Sequence, residues 1–256
     1  MAFKFVETVD AIAMSGIRMT VVGGVPSPWS EAAKAIFHIK GLDWAAVRLE
    51  PENDIQTHWT GRQSAPAAIL NDGNPLSSWI DILFLGEQLA PEPSLLPVGP
   101  FDRALTIGLS HEFLGENGLA RARRLQLVHA GLEGKEGFTE PVANYLAAKY
   151  GYTPQHGAAA ELRVRNLLKM YAKRLRSQHE AGSQFYIGDS LTYVDICSAV
   201  TTALFQPLPE RDCAMRRSTG AAFETTDNTT RTLLDPIVLE HRDLIYRRFL
   251  ELPVIL

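Results

Sequence analysis

The amino-acid pattern of this chain changes at a proline-rich stretch, residues 91–100, and that change constrains the fold more than any other feature. Before the stretch, short β-branched runs alternate with amphipathic segments, whereas after it the apolar residues recur only at helical spacing. Prolines clustered between two such regions are typical of a connecting segment. The sequence therefore predicts two domains, an α/β domain over residues 15–91 and an all-helical domain over residues 100–256.

Two predicted strands with a helix between them open the α/β domain. Residues 17–23 form a short β-branched run, and residues 44–49 form another. Between them, the apolar spacing from Ser30 onward predicts a helix that ends in a basic turn and a glycine cap at Lys40-Gly41. Because parallel strands need a crossover of this kind, this segment predicts a parallel pair.

A hairpin is predicted next. The apolar run at residues 67–70 leads into the turn sequence Asn-Asp-Gly-Asn at residues 71–74, and residues 75–76 begin the partner strand. Ser77 or Ser78 can then cap the following helix. Since a hairpin is antiparallel, the hairpin and the parallel pair together predict a mixed four-stranded sheet with helices on its faces.

Two segments of this domain carry no regular pattern. Residues 1–16 contain Glu7 and Asp10 and lack the long apolar core of a secretory signal, so we expect a poorly ordered extension there. Residues 51–62 are polar, and we expect an irregular connection.

The second domain is predicted to consist of helices alone. One of them carries many arginine and lysine side chains away from its apolar stripe, which indicates either nucleic-acid binding or a solvated face. The net charge of −4 and the pI near 6.0 favour the solvated face. Arg121, Arg123 and Arg124 form a second basic cluster, which is either solvated or binds an anion or substrate. The predicted helices are residues 102–113, 119–132, 141–149, 158–178 and 233–250.

Composition excludes several classes of protein. Hydrophobic residues make up 46% of the chain, which is ordinary for a globular protein. The 2 cysteines cannot form a disulfide framework or a four-ligand zinc site, so we expect no metal and a reducing, cytoplasmic environment. No run of about eighteen apolar residues occurs, so we expect no membrane span.

The strongest local signal is a helix capping box at Thr192 and Asp195. Thr192 at the N-cap can accept a hydrogen bond from the backbone three residues on, while the Asp195 carboxylate reaches back to the N-cap. Leu191 and Ile196 occupy the positions of a hydrophobic staple. A box alone is common, but its context in residues 185–190, Phe-Tyr-Ile-Gly-Asp-Ser, is much less so. We interpret Asp195 as structural, because no histidine or second carboxylate lies one turn away.

With this box in its context, the chain resembles the glutathione transferases over about residues 17–256. Ser27-Pro28-Trp29 precedes the first predicted helix, Pro66 stands where the family keeps a cis-proline, and a Ser-Ser pair opens the next helix. The resemblance implies a thioredoxin-like N-terminal domain followed by an all-helical C-terminal domain. We expect a serine-type member, close to the tau and zeta classes, from a bacterium.

The resemblance assigns thiol activation to Ser27. A free thiol has a pKa near 8.5, and a hydroxyl that donates to the sulfur at a helix N-terminus favours the thiolate. Ser30 is the alternative catalytic residue, although it also suits a plain N-cap, as Ser27 suits an ordinary turn. In the family's tyrosine and cysteine classes, the catalytic tyrosine or cysteine lies in the N-terminal domain. Here the first tyrosine is Tyr145 and the first cysteine is Cys197, both in the predicted helical domain, so neither class is expected.

Glutathione itself is expected to bind along the first domain. A cis bond at Pro66 would let the Ala65 backbone pair with glutathione like an added strand, and serines at a helix N-terminus suit the γ-glutamyl carboxylate. Trp29 is a candidate wall for an apolar acceptor pocket. The expected glutathione-binding residues are Trp29, Lys40, Gln63, Ser64, Ala65, Pro66, Ser77 and Ser78.

Two positions depart from the family pattern. Ser77 stands where an acidic residue commonly contacts the γ-glutamyl amine, and Ser64 stands where a lysine often faces the glycyl carboxylate. Lys40, Arg62 or Gln63 can replace the lysine, and Asp81 can supply the acid.

The resemblance implies a detoxifying glutathione transferase that uses glutathione as co-substrate against a small hydrophobic electrophile. It also implies a symmetric homodimer, with no nucleic-acid or membrane partner. Two alternatives stay open: a non-catalytic ligand-binding protein on the same fold, and a glutathione-dependent lyase or isomerase.

Overall fold

A computed structural model describes residues 3–256 and divides into two units. The first unit takes in the chain up to Ser94 together with Phe249–Leu256, and the second is Leu95–Arg248. The division falls inside the expected proline-rich connection. The segment Phe249–Leu256 lies with the first unit, however, and not with the helical domain to which the sequence analysis assigned it.

The first unit is built on a mixed sheet of 4 strands in the order β1-β3-β2-β4. Strand β3 is parallel to both β1 and β2, and β4 is antiparallel to β2. The predicted mixed four-stranded sheet is therefore confirmed. The elements are β1 (Lys4–Phe5), α1 (Thr8–Ala13), β2 (Ile17–Val21), α2 (Pro28–Ile39), β3 (Trp44–Arg48), α3 (Asp54–Thr60), β4 (Ala67–Leu70) and α4 (Trp79–Leu89).

The expectation of a disordered extension is wrong for the described part of residues 1–16. This segment contains β1 and α1, and β1 pairs with β3 through Lys4 and Phe5. The Phe3 ring lies 4.4 Å from the ring of Trp44, and the Arg48 guanidinium lies over the Phe5 ring at 4.3 Å. A strand this short shows no period of its own, so only these tertiary contacts define it. Met1 and Ala2 lie outside the described residues.

The predicted hairpin forms its turn but contributes only one bridge to the sheet. Asn71 has a positive φ of 49°, and the Gly73 amide donates to the Leu70 carbonyl at 2.9 Å. The partner segment pairs only at Ala68 and Leu76. The fourth strand of the sheet is therefore β1, and not residues 75–76 as predicted.

The connection predicted as irregular, residues 51–62, contains α3. The Asn53 side chain caps this helix by accepting from the Gln56 amide at 3.0 Å, and Gly61, at a φ of 70°, ends it. The buried Gln56 amide group donates to the Thr8 hydroxyl at 3.0 Å and to the Arg48 carbonyl at 2.9 Å. A polar side chain thus anchors α3, which is why its sequence lacks an apolar stripe.

The second unit is helical, and all five predicted helices are present. Its core includes the stacked rings of Phe113 and Tyr171, with Tyr186 edge-on to both. No helix within residues 3–256 is long and apolar enough to cross a membrane. The helices are α5 (Pro100–Leu114), α6 (Leu119–Leu132), α7 (Glu140–Tyr150), α8 (Pro154–Glu180), α9 (Tyr193–Thr202), α10 (Arg217–Glu224), α11 (Asn228–Leu233) and α12 (Pro236–Phe249).

The capping box opens α9 as predicted. The Asp195 carboxylate accepts from the Thr192 amide and hydroxyl, both at 2.8 Å, and from the Tyr186 amide at 2.9 Å. His241 of α12 adds a fourth contact, its Nε2 lying 3.0 Å from Asp195 Oδ1. A histidine therefore does contact Asp195, from 46 residues away along the chain.

The arginine cluster in α6 is divided between the interior and the surface. Arg123 is buried and donates to the carbonyls of Leu204, Phe223 and Thr225. Burial lowers the pKa of Arg123 to about 9, so its guanidinium still carries a charge at pH 7. Neither interpretation of the cluster holds for Arg123: it is not solvated, and it is not free for an anion, because its donors connect α6 to the segment after α9 and to the end of α10.

Candidate functional site

The sheet register brings several of the predicted site residues to one end of the sheet. In the antiparallel pair of β2 and β4, Thr20 lies opposite Ala67, which places Pro66 beside the end of β2. The loop that follows β2 leads to Ser27 and the first turn of α2. The loop after β2, the N-terminus of α2 and Pro66 therefore meet at the same end of the sheet.

The start of α4 lies at this end of the sheet as well. The bridge between Ala68 and Leu76 places the next residues, Ser77 and Ser78, alongside Ala67 and Pro66. Ser78 is the N-cap of α4, and its side chain makes no capping hydrogen bond. Both serines are half-buried, so the site has hydroxyls and a helix N-terminus suited to a carboxylate.

Ser27 is the N-cap residue of α2. Its backbone is extended, Pro28 follows in the first turn, and its carbonyl accepts from the Glu31 amide at 2.8 Å. Its side chain makes no capping bond, and within residues 3–256 its hydroxyl has no partner. Only 2% of Ser27 is exposed, so the hydroxyl lies in a largely dehydrated position at the positive end of the helix.

Ser30 occupies a different position from the one expected. It is not the N-cap but a residue within the first turn of α2, fully buried, with Oγ accepting from the Val22 amide at 3.2 Å. Its hydroxyl therefore ties the loop after β2 to the helix. Of the two candidate serines, Ser30 uses its hydroxyl within the protein, whereas the Ser27 side chain makes no capping bond.

The Ala65-Pro66 peptide bond is cis, as predicted. The next residue, Ala67, donates its amide to the Thr20 hydroxyl at 3.1 Å, which fixes this segment against β2. Among the described residues the backbone groups of Ala65 have no hydrogen-bond partner. They are therefore available to an extended ligand.

Lys40 is not brought to this site. It follows α2, whose 12 residues span about 18 Å, so it lies at the far end of the helix from Ser27. Its ammonium is fully buried and contacts the carbonyls of Ala90 at 2.7 Å and Pro93 at 3.0 Å, and the Glu87 carboxylate at 2.8 Å. The prediction that Lys40 contacts glutathione is wrong, because all its donors are used to hold the segment after α4.

The remaining predicted residues flank the site in the chain. Gln63 and Arg62 are exposed, and Ser64 is half-buried, in the connection that leads directly into Ala65. Trp29 is half-buried in the first turn of α2, next in the helix to Pro28.

A buried ion pair that was not predicted lies near the site. Glu31, one turn after Ser27, lies 2.7 Å from Lys34, and the Lys34 ammonium also donates to the Ile255 carbonyl at 2.7 Å. Burial raises the pKa of Glu31, against the lowering effect of Lys34. The only sequence signal was the helical spacing of the two residues.

This arrangement can stabilise an anionic atom beside Ser27, through a hydroxyl donor and the N-terminus of α2. The described residues contain no group of three or more His, Cys, Asp or Glu side chains that could hold a metal ion.

Comparison with known proteins identifies the fold. No protein-family model and no curated protein matches the chain. Solved structures match it over nearly the full length, at low sequence identity. A glutathione S-transferase from Methylobacterium radiotolerans, in complex with glutathione sulfonate, is 16% identical, has a TM-score of 0.61, and covers 91% of this chain and 92% of its own.

Two further matches extend this comparison. A glutathione S-transferase from Methylobacillus flagellatus with glutathione bound is 13% identical, with a TM-score of 0.63 and coverage of 91% of this chain and 96% of its own. The beta-etherase LigF from Sphingobium sp. strain SYK-6 is 15% identical, with a TM-score of 0.56 and coverage of 89% and 99%. The chain thus has the glutathione transferase fold, a thioredoxin-like unit with a mixed four-stranded sheet and an all-helical unit.

Proposed function

We propose that this protein is a serine-type glutathione transferase that activates the thiol of glutathione for attack on a small hydrophobic electrophile. The observation that carries the proposal is the unpaired Ser27 hydroxyl at the N-terminus of α2, next to the cis Ala65-Pro66 bond. Two proteins of similar structure, solved with glutathione sulfonate or with glutathione bound, support the choice of glutathione as co-substrate.

In this mechanism Ser27 donates a hydrogen bond to the glutathione sulfur. A free thiol has a pKa of about 8.5, so a fall of about 1.5 units gives half thiolate at pH 7. The thiol proton leaves to solvent, and the sulfur lone pair forms the new bond to carbon while the bonding electrons move to the leaving group or the activated system. Ser27 keeps its own proton throughout and forms no covalent bond.

Backbone groups and serines would orient the tripeptide. The free amide and carbonyl of Ala65 pair with the cysteinyl backbone, and the N-terminus of α4 at Ser77 and Ser78 receives the γ-glutamyl carboxylate. Arg62 supplies a positive charge for the glycyl carboxylate, next to the neutral Gln63 and Ser64. Because exposed ion pairs contribute little, we expect glutathione affinity to be modest.

We further propose that the protein acts in the cytoplasm on toxic electrophiles. We also propose that it forms a symmetric homodimer. The support for the dimer in the chain is the partly exposed apolar side chains Phe84 and Leu89 on α4. Light scattering that gives a mass near 28.3 kDa at micromolar concentration would count against the dimer.

The central test compares Ser27→Ala with Ser30→Ala. Ser27→Ala should lower kcat/KM for conjugation of a generic aryl halide more than tenfold, about 1.4 kcal/mol or above, with an unchanged melting temperature. Ser30→Ala should lower stability by about 1 kcal/mol and change turnover less, since its hydroxyl accepts only from Val22. The reverse pattern would move the thiol contact to Ser30.

A ligand-binding protein without turnover is the second candidate. The specific observation in its favour is serine at both positions, 64 and 77, where the family usually places a charge. Calorimetric titration with glutathione decides between the two candidates. A ligand-binding protein that does not use glutathione would give no heat of glutathione binding at millimolar concentration. Binding without conjugation of a generic electrophile would instead favour a glutathione-dependent lyase or isomerase, which uses the same thiolate.

A further inference from the structure

A cavity of about 510 Å³ lies within the second unit, between the start of α6, the end of α7 and the first turns of α8. Its volume falls in the range of sites for small organic ligands. Small and apolar side chains form its floor and walls, among them Leu125, Ala159 and Ala160. None of the residues assigned to glutathione lines it.

Arg121 forms one side of this cavity and is held in place by three contacts. Its guanidinium donates to the Tyr150 carbonyl at 3.2 Å, lies 5.3 Å from the centre of the Tyr150 ring and is 2.9 Å from the Glu116 carboxylate. The Glu116 side chain is 74% exposed, so water competes strongly for this ion pair. A guanidinium has five N–H donors, and these contacts occupy only part of them.

Arg163 of α8 also lines the cavity. Its Nε donates to the Asn117 carbonyl at 3.0 Å, and its terminal nitrogen pairs with Glu112. Part of this guanidinium also stays uncommitted. Two arginine forks, each oriented by a backbone carbonyl, thus line one cavity. Among the described residues that line it, the exposed Glu116 is the one that carries a carboxylate, and Glu112, the partner of Arg163, lies outside the lining.

We propose that this cavity binds an organic anion, a carboxylate or sulfonate carried on an apolar ring system. Arg121 and Arg163 would share the anionic group through charge-assisted hydrogen bonds. The Tyr150 ring, Leu125 and the alanines would cover the apolar body. The anion replaces Glu116 at Arg121 at small cost, because that glutamate regains full hydration. This proposal does not depend on glutathione or on Ser27.

The test uses two fluorescent probes with similar rings. 8-Anilinonaphthalene-1-sulfonate carries the anionic group, and N-phenyl-1-naphthylamine lacks it. Arg121→Gln and Arg163→Gln should each weaken binding of the anionic probe in this cavity by about tenfold, and should change the affinity for the neutral probe little. Lys169→Gln, which removes a positive charge from the exposed surface of α8 outside the cavity, is the matched control and should change neither.

A second variant fills the cavity without touching an arginine. Ala159 lines the cavity but is solvent-exposed, so Ala159→Trp occupies the space with little effect on the core, which the melting temperature would verify. Ala159→Trp should therefore abolish binding of the anionic probe in this cavity. Unchanged binding of that probe in folded Arg121→Gln and Ala159→Trp would overturn the proposal, as would equal weakening of both probes in the two arginine variants.

Discussion

Replacement of Asp195 by alanine tests how the second unit is held together. The carboxylate is fully buried, and the substitution removes the acceptor for the amides of Tyr186 and Thr192, the Thr192 hydroxyl and the ring of His241. An ordinary N-cap loss costs about 1 kcal/mol. Here the buried donors are left without partners, at about 1–3 kcal/mol each before relaxation, so we expect a total loss of about 3–5 kcal/mol.

The assay is urea unfolding followed by fluorescence, with turnover per folded molecule measured on the same sample. Asp189→Ala is the matched control, because Asp189 lies just before the box but is exposed. It should change the free energy of unfolding by no more than about 0.5 kcal/mol. The reasoning fails if Asp195→Ala unfolds at the same urea concentration as the control, or if it keeps its stability and loses turnover.

Two further predictions concern the first unit. Lys40→Met should lower its stability by about 2–4 kcal/mol, because Glu87 loses its buried partner, while glutathione affinity measured by calorimetry stays the same; a large loss of affinity would return Lys40 to the site. Glu31 has a raised pKa in the folded state, so its contribution to stability is present below its unfolded pKa, near 4.5, and falls as pH rises towards the folded value. Relative to Glu31→Gln, the wild type should therefore lose stability as pH rises through that window, and parallel pH–stability curves for the two proteins would contradict the assignment.

Local signals predicted much of the fold. The five helices predicted for the second unit, the turn after β4 and the box at Thr192 all depend on residues within a few positions of one another. The cis bond at Pro66 and the position of Ser27 just before the first helix were predicted through the family resemblance to those same short motifs. Such features could be recognised because helix periodicity, turn chemistry and capping act over one or two turns of chain.

Short or polar elements escaped prediction. Strand β1 consists of Lys4 and Phe5, too few residues to show alternation, and it exists because Phe3 and Phe5 pack against β3 side chains. Helix α3 is anchored by Gln56, a polar residue that gives no apolar stripe. In both cases the stabilising partner lies elsewhere in the chain.

The sequence by itself determined the two-part architecture, the helical periods, the turn chemistry and the candidate serines. Only the tertiary structure decided what each polar side chain contacts. It turned Lys40 away from the site towards Glu87, buried Arg123 among backbone carbonyls, and brought His241 to Asp195 across 46 residues. The physical reason is that a buried charge must find its partners wherever the packed chain places them, and spacing along the sequence carries no record of contacts beyond a turn or a hairpin.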